Sequence, residues 1–276
     1  MDERDDPELE EASAARQMAW FHERHAGVTR RALARGRDAL GRSSYELLAE
    51  LASPGEAALE LGCGDGPLLE LLVARGAAVV GIDRAAAELA RARGAGAVRV
   101  RADAGALPFR AGSFALVLSH LAFSVMEDAP AIVEEVARVL APRGVFAAIV
   151  GGGPAVRPGE TDDAFELFLE LLSASLRGRR RCRFGDVRAG RLDGWRELWG
   201  PRGFVVEGAR HEIDLSGGVE EVWATLSSAY DCMLLAPAHL AALRGAFTAR
   251  CATRFPDGAI PLRMVVWRLV ARRTPA

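Results

Sequence analysis

Residues 58–72, ALELGCGDGPLLELL, place three glycines within five positions, between an apolar run and a leucine-rich stretch. Because glycine has no Cβ, the backbone N–H groups of such a turn can approach a ligand closely. The flanking patterns predict a strand at 57–61 and a helix at 67–76, with Pro67 in its first turn. We therefore predict a strand–turn–helix unit whose turn faces a ligand.

The same alternation continues from this unit to residue 150. Apolar runs predict strands at 77–83, 97–103, 113–123 and 145–150, and amphipathic stretches between them predict helices. The run at 113–123 is continuous and indicates a central strand buried on both faces, whereas the alternating 97–103 segment indicates an edge strand. Alternating strands and helices predict an α/β fold with a parallel, doubly wound sheet and right-handed crossovers.

The flanking regions are mainly helical. Residues 8–52 show helical spacing of apolar positions until a Ser-Pro-Gly break at 53–55, which predicts an N-terminal helical segment. After the Gly-Gly-Gly-Pro run at 151–154 the pattern is less regular, with helices at 161–176, near 190–203 and over 217–255. Strands are predicted at 204–209 and 261–273.

Composition limits the function classes. The chain has 276 residues and a net charge near −2, so no overall basic field indicates nucleic acid or membrane binding. The four cysteines are scattered, which predicts reduced thiols and no zinc site. The acidic N-terminus is unlike a signal peptide, and no apolar run approaches the roughly 20 residues of a membrane span. We expect a soluble cytoplasmic protein without a bound metal.

The glycine turn differs from a dinucleotide-binding turn. That fingerprint requires G-x-G-x-x-G/A, but here the third glycine comes one position early and Pro67 follows it. Asp65 within the turn would repel a pyrophosphate and suits a ligand with a positively charged end. The turn therefore disfavours NAD.

The segment LELGCGDG at 59–66 resembles motif I of the class I S-adenosylmethionine-dependent methyltransferases. Four further segments resemble the motifs that follow it in this family: VVGID, RADAGALPF, SFALVLSHLAF and EVARVLAPRGVF. The resemblance covers about residues 45–150. It implies a Rossmann-like sheet of seven strands with the last strand antiparallel, the strands at 203–209 and 263–272 supplying the final pair.

The resemblance also implies S-adenosylmethionine as the cofactor and assigns roles to its site. Asp83 would accept the ribose hydroxyls, Asp103 and the next amide would bracket the adenine, and the glycine turn would bind the aminoacyl end. Glu60 would either contact the cofactor or support the turn, and we leave both open. The predicted cofactor-binding residues are Glu60, Gly62, Cys63, Gly64, Asp65, Asp83, Arg84, Asp103, Ala104 and Ser119.

Two histidines are candidate catalytic bases. His120 follows Ser119 at the carboxyl end of the predicted fourth strand, where open α/β sheets bind ligands, so it would act as a base or pack beside the cofactor. His22 lies on the N-terminal helical segment. In relatives such a segment closes over the cofactor, which we predict for residues 1–52, with the methyltransferase domain at 53–276.

Two segments, at about 151–190 and 211–260, are predicted to be inserts that build and cover an acceptor pocket. Their aromatic content, together with the N-terminal segment, indicates an apolar acceptor. The candidate substrate-binding residues are Trp20, Phe165, Phe168, Trp223, Tyr230 and Met233.

The sequence predicts an enzyme that transfers a methyl group to a small, fairly apolar acceptor, at oxygen, in a bacterial natural-product pathway. N- or C-methylation, or methylation of a carrier-bound acyl group, is the alternative; the arginine-rich run at 177–183 would then dock an acyl-carrier protein. A third hypothesis is a non-catalytic S-adenosylmethionine-binding protein. A homodimer stays open, and nucleic acid and membrane partners are not expected.

Overall fold

A computed structural model describes residues 14–92, 96–155, 163–177 and 184–274, apart from the side chains of residues 14, 15, 233 and 234. Within these ranges the chain forms one seven-stranded sheet. Its strands are β1 (Ala57–Leu61), β2 (Ala78–Asp83), β3 (Val98–Arg101), β4 (Phe114–His120), β5 (Leu140–Pro154), β6 (Phe204–Asp214) and β7 (Arg263–Arg273).

The strand order is β3-β2-β1-β4-β5-β7-β6. The first five strands are parallel, and β7 runs antiparallel to both of its neighbours. This arrangement confirms the predicted doubly wound sheet with its last strand antiparallel. The edge position of β3 is also as predicted, although Val98, expected on a buried face, is 58% exposed.

Ten α-helices connect or cover the strands in the described residues. They are α1 (Ala14–Arg24), α2 (Val28–Leu33), α3 (Glu46–Ala49), α4 (Pro67–Ala74), α5 (Ala86–Arg91), α6 (Ala129–Val139), α7 (Ala164–Ser175), α8 (Leu192–Trp199), α9 (Val219–Leu226) and α10 (Pro237–Arg254). None of these helices is both long and apolar enough to cross a bilayer.

The helices bury two apolar clusters, one on each face of the sheet. Helices α6 and α8 cover one face, where the rings of Trp195 and Phe146 stack with their centroids 5.1 Å apart. The N-terminal helices, α4 and the helices α7, α9 and α10 cover the other face. Alternate residues of each central strand therefore face different helices, which is why the strand sequences are apolar throughout.

Two strands are longer than the sequence predicted. β5 extends from 140 to 154 because the chain shifts register against β4 near Leu116, and again at Gly151–Gly153 against β7. β6 pairs with β7 as far as Asp214. The starts of the two predicted inserts, at about 151 and 211, thus overlap the ends of β5 and β6.

The first insert is anchored to the sheet at Asp163. This carboxyl accepts the Phe165 N–H at 2.7 Å, which caps α7, and the Arg263 N–H at 2.9 Å, at the start of β7. The helix predicted over 161–176 thus begins at Ala164, and the side chain that caps it also fixes α7 against the sheet. The position of α7 over one end of β7 brings its apolar face to the cavity described below.

Candidate functional site

A cavity of about 610 Å³ opens where β1, β2 and β4 end at their carboxyl termini. Ligands bind at this edge of open α/β sheets, and the volume is within the range of small-molecule sites. The glycine turn lines one side, and the N-terminal helices and the two inserts line the rest. All but four of the predicted site residues contribute to its wall.

The glycine turn has a backbone conformation that other residues rarely adopt. Gly62, Gly64 and Gly66 have φ angles of 66°, 53° and 86°. A Cβ on Gly62 would also lie 2.4 Å from the Cβ of Ala122, so a second, steric reason requires glycine there. The turn ends at α4, whose first residue is Pro67 as predicted.

Asp83 fixes the turn against the end of β2. Its two carboxyl oxygens accept the N–H groups of Gly64 and Ala85, each at 2.9 Å. A carboxylate has about four acceptor positions, so each oxygen keeps capacity for one more donor. Burial raises the pKa of Asp83, and the two backbone hydrogen bonds oppose that rise. The side chain can therefore take two ligand hydroxyls on the cavity side.

Four carboxyl groups surround this part of the cavity: Glu60, Asp65, Asp83 and Glu88. Burial, and then the charges of Asp83 and Asp65, raise the pKa of Glu60 well above its usual value. Asp65 is already paired, because Arg30 Nε lies 2.9 Å from its Oδ2. Of these four carboxyl groups, Glu60 has an oxygen, Oε2, that is buried without a hydrogen-bond partner in the described residues.

The far end of the cavity contains the residues predicted to bracket an adenine. Ala104 is buried, whereas Asp103 is exposed and accepts the Gly105 N–H at 2.8 Å. Arg84 lies 3.6 Å from the Asp103 carboxyl in an exposed ion pair. Arg84, Asp103 and Ala104 all line the cavity, and their contact with an adenine stays a prediction.

His22 joins the N-terminal helix to two other parts of the chain. Its Nδ1 lies 2.9 Å from Glu88 Oε1 on α5, and its Nε2 lies 3.2 Å from the hydroxyl of Tyr230 in the second insert. The other Glu88 oxygen accepts the Gly27 N–H at 2.8 Å. The carboxyl can hold the Nδ1–H tautomer, in which Nε2 accepts the hydrogen bond of the Tyr230 hydroxyl.

His120 has a different environment. Its Nε2 lies 2.9 Å from the Ser44 hydroxyl, and its ring stacks on Tyr45 with centroids 3.8 Å apart. Burial lowers the pKa of His120 to about 3, so the ring is neutral at physiological pH. The side chain lines the cavity but has little tendency to take up a proton.

Three predicted site residues lie outside the cavity wall. The Ser119 hydroxyl donates to the Leu61 carbonyl and accepts the Phe123 N–H, each at 3.0 Å, so its hydrogen-bonding capacity is used on the backbone. Trp20 packs against Arg24, and Trp223 packs behind Phe168. Of the predicted substrate-binding residues, Phe165, Phe168 and Tyr230 line the cavity. The side chain of Met233 lies outside the described residues.

Among the wall residues that sequence reasoning missed are Glu88 and Tyr45. Glu88 is the one acid in the helix after β2 and is only 2% exposed. Tyr45 lies in a segment without a motif. A buried acid in a short helix has no periodic signature, so only the tertiary contacts identify either residue.

Residues 59–148 match the family model described as a methyltransferase domain. This stretch is therefore similar to methyltransferase domains. The matched range contains the glycine turn, Asp83, Asp103 and His120, so the motifs that suggested the family are those that line the cavity. The methyltransferase domain model covers about a third of the chain and none of the cap helices.

Two curated relatives each match about a third of the chain. The nocamycin O-methyltransferase of Saccharothrix syringae is 42% identical over 101 residues, which are 33% of this chain and 36% of that protein. An uncharacterised methyltransferase of Synechocystis sp. is 40% identical over 101 residues, 35% of this chain and 48% of that protein. The chain thus spans less than half the length of either relative.

Solved structures share the fold over a longer range. The structure assigned to a type II methyltransferase from Anaeromyxobacter dehalogenans is 21% identical with a TM-score of 0.61, over 84% of this chain and 96% of that one. The YcgJ protein from Bacillus subtilis is 15% identical with a TM-score of 0.55, over 84% and 99%. At these identities the likeness is one of fold.

Proposed function

We propose that the protein is an S-adenosylmethionine-dependent methyltransferase that methylates an oxygen of a small, fairly apolar acceptor. The observation that carries the proposal is the glycine turn, fixed by Asp83 and bordered by four carboxyl groups in one cavity. An acid-lined cavity favours a cationic ligand, and S-adenosylmethionine carries a sulfonium and an ammonium group.

The described residues fit this cofactor. Asp83 has one remaining acceptor position on each oxygen for the two ribose hydroxyls, and Glu60 Oε2 is buried without a hydrogen-bond partner among the described residues. Asp103 and Ala104 would border the adenine. Gly62 lines the cavity, and a Cβ there would clash with Ala122, so this position of the turn requires glycine. When bound, the cofactor supplies an electrophilic methyl group.

The protein's contribution to methyl transfer is alignment and acceptance of a proton. We assign the acceptor's proton to His22 Nε2, because Glu88 holds the opposite ring nitrogen and would stabilise the protonated ring; the acceptor would replace the Tyr230 hydroxyl at Nε2. His120 is the weaker of the two predicted bases because burial lowers its pKa to about 3. We propose that His120 instead presents a neutral surface at the end of β4.

The acceptor side of the cavity is apolar. Phe165, Phe168 and Leu172 of α7 line it together with Leu226 and Met264. This wall supports an apolar acceptor, and transfer to oxygen is supported by the similarity to a nocamycin O-methyltransferase in the domain. A natural-product acceptor is part of the same proposal.

Two further predictions stay proposals. Methylation of a carrier-bound acyl group would use the basic run at 177–183, of which only Arg177 lies in the described residues. A cytoplasmic location is supported by the free thiols of Cys63, Cys232 and Cys251, which are typical of a reducing compartment; Cys182 lies outside the described residues.

Incubation with methyl-labelled S-adenosylmethionine and a panel of phenols, enols, carboxylic acids and amines tests the proposal. Label in a phenolic or enolic ether supports it, and exclusive transfer to nitrogen or carbon overturns the assignment to oxygen. Cofactor binding without transfer to any member of the panel favours the non-catalytic alternative.

A further inference from the structure

Tyr45 is a buried residue whose ring is held by stacking on a neighbouring ring. It is 5% exposed, and its ring stacks on that of His120 at an interplanar angle of 20°. The adjacent Ser44 hydroxyl binds His120 Nε2 at 2.9 Å, so the backbone before Tyr45 is attached to the same ring. The phenol cannot turn away from the cavity without losing its stacking on His120.

The hydroxyl of Tyr45 has no hydrogen-bond partner among the described residues. The same holds for Oε2 of Glu60, a β1 residue that is 2% exposed. Both residues line the cavity. Buried polar groups in native proteins nearly always have a partner, so two unpartnered groups on one cavity wall indicate a ligand that supplies the missing bonds.

Tyr45 lies beside the strand ends that carry the glycine turn. Its ring stacks on His120 of β4, which pairs with β1 next to the turn, and Tyr45, Glu60 and the turn line one cavity. The hydroxyl therefore lies on the side where the resemblance puts the cofactor's amino-acid end. A phenol donates a hydrogen bond, whereas an ionised carboxyl only accepts them.

We propose that Tyr45 and Glu60 together bind the amino-acid end of S-adenosylmethionine. The Tyr45 hydroxyl donates to the ligand's carboxylate, and Glu60 accepts from its ammonium. The pair thus matches a zwitterion, and Tyr45 is a binding residue that no motif of the domain contains. The inference rests on the proposed function, since it requires this cofactor.

Burial supports the two roles. It raises the pKa of Tyr45, so the phenol keeps its proton and can donate. It also raises the pKa of Glu60, together with the charges of Asp83 and Asp65, and a bound ammonium would favour the ionised form of Glu60.

Calorimetric titration with two ligands tests the proposal. S-adenosylhomocysteine carries the amino-acid end, and 5′-methylthioadenosine has the same adenosine and thioether without it. We expect Tyr45→Phe to weaken S-adenosylhomocysteine about tenfold, the effect of one hydrogen bond to a charged group, and 5′-methylthioadenosine by less than about twofold. Glu60→Gln should show the same selectivity.

Tyr230→Phe is the matched control, since the chain contains two tyrosines and the Tyr230 hydroxyl already has a partner in His22. This variant should leave the ratio of the two affinities unchanged. Without ligand, Tyr45→Phe should melt at least as high as the wild type, because the phenol it loses is unpaired. A lower melting temperature would mean that the hydroxyl has a structural partner, against the proposal.

The outcomes separate this inference from the proposed function. If the wild type binds neither ligand nor S-adenosylmethionine, the proposed function fails. If the wild type binds both ligands and Tyr45→Phe weakens neither, or both equally, only the inference fails. If Tyr45→Phe leaves the S-adenosylhomocysteine affinity unchanged but raises the KM for the acceptor, Tyr45 contacts the acceptor, and the inference fails as well. Should Tyr45→Phe not fold, Glu60→Gln provides the same comparison.

Discussion

Replacing Gly62 by alanine should destabilise the fold for two separable reasons. A left-handed conformation costs an alanine about 1–2 kcal/mol, and Gly62 has φ +66°. The new Cβ would lie 2.4 Å from Ala122 Cβ, which cannot rotate away, so the turn or the segment after β4 must shift. Overpacking of this kind costs about 1–3 kcal/mol. The sum is about 2–5 kcal/mol.

Gly55→Ala is the control for the backbone contribution. Gly55 has φ +76°, and a Cβ there would meet no atom within 4 Å. Urea unfolding followed by tryptophan fluorescence should therefore give Gly62→Ala a free energy of unfolding about 1–3 kcal/mol below that of Gly55→Ala. If the two variants agree to within about 0.5 kcal/mol, the steric argument for the turn is wrong.

Three further outcomes follow from the contacts of the site and the cap. Asp163→Ala leaves two backbone N–H groups without an acceptor, and we expect a loss of about 2–4 kcal/mol in urea unfolding; a loss below 1 kcal/mol would contradict the anchoring of α7. The pKa of His120 is lowered to about 3, so as pH falls below about 6.5 this histidine is protonated in the unfolded chain but not in the folded one, and the free energy of unfolding declines. His120→Gln should flatten that decline. Identical pH profiles of the two proteins would contradict the burial of a neutral His120. His22→Gln should lower kcat about 100-fold for a phenol that is neutral at the assay pH, but little for a phenol already ionised; an equal loss for both, measured in single turnovers with labelled cofactor, would exclude His22 as the base.

The sheet could be predicted because each of its strands has a local signature. The continuous apolar run of β4 indicated a central strand, and the turn at 62–66 could be located because its three glycines lie between an apolar run and a leucine-rich stretch. The ends of β5 and β6 could not be predicted, because they depend on register shifts and on pairing with β7, which lies more than 40 residues further along the chain than β6.

Motif residues of the site were predictable, and residues set by tertiary contact were not. Asp83 could be located because it ends a strand, but the pairing of Asp65 with Arg30 depends on α2 packing over the turn. Ser119 occupies a strand end like a ligand-binding residue, yet its hydroxyl bonds to the backbone on both sides. Tyr45 and Glu88 could be identified only from the folded structure, because tertiary contacts bring them to the cavity wall.

The central claim is that this cavity binds S-adenosylmethionine through Asp83. Its most direct test is calorimetric titration of S-adenosylhomocysteine into the wild type and into Asp83→Ala. We expect one ligand to bind per wild-type chain. Because Asp83→Ala removes the two free acceptor positions, its affinity should be at least about tenfold lower. No binding to the wild type, or equal affinity in both proteins, would contradict the account.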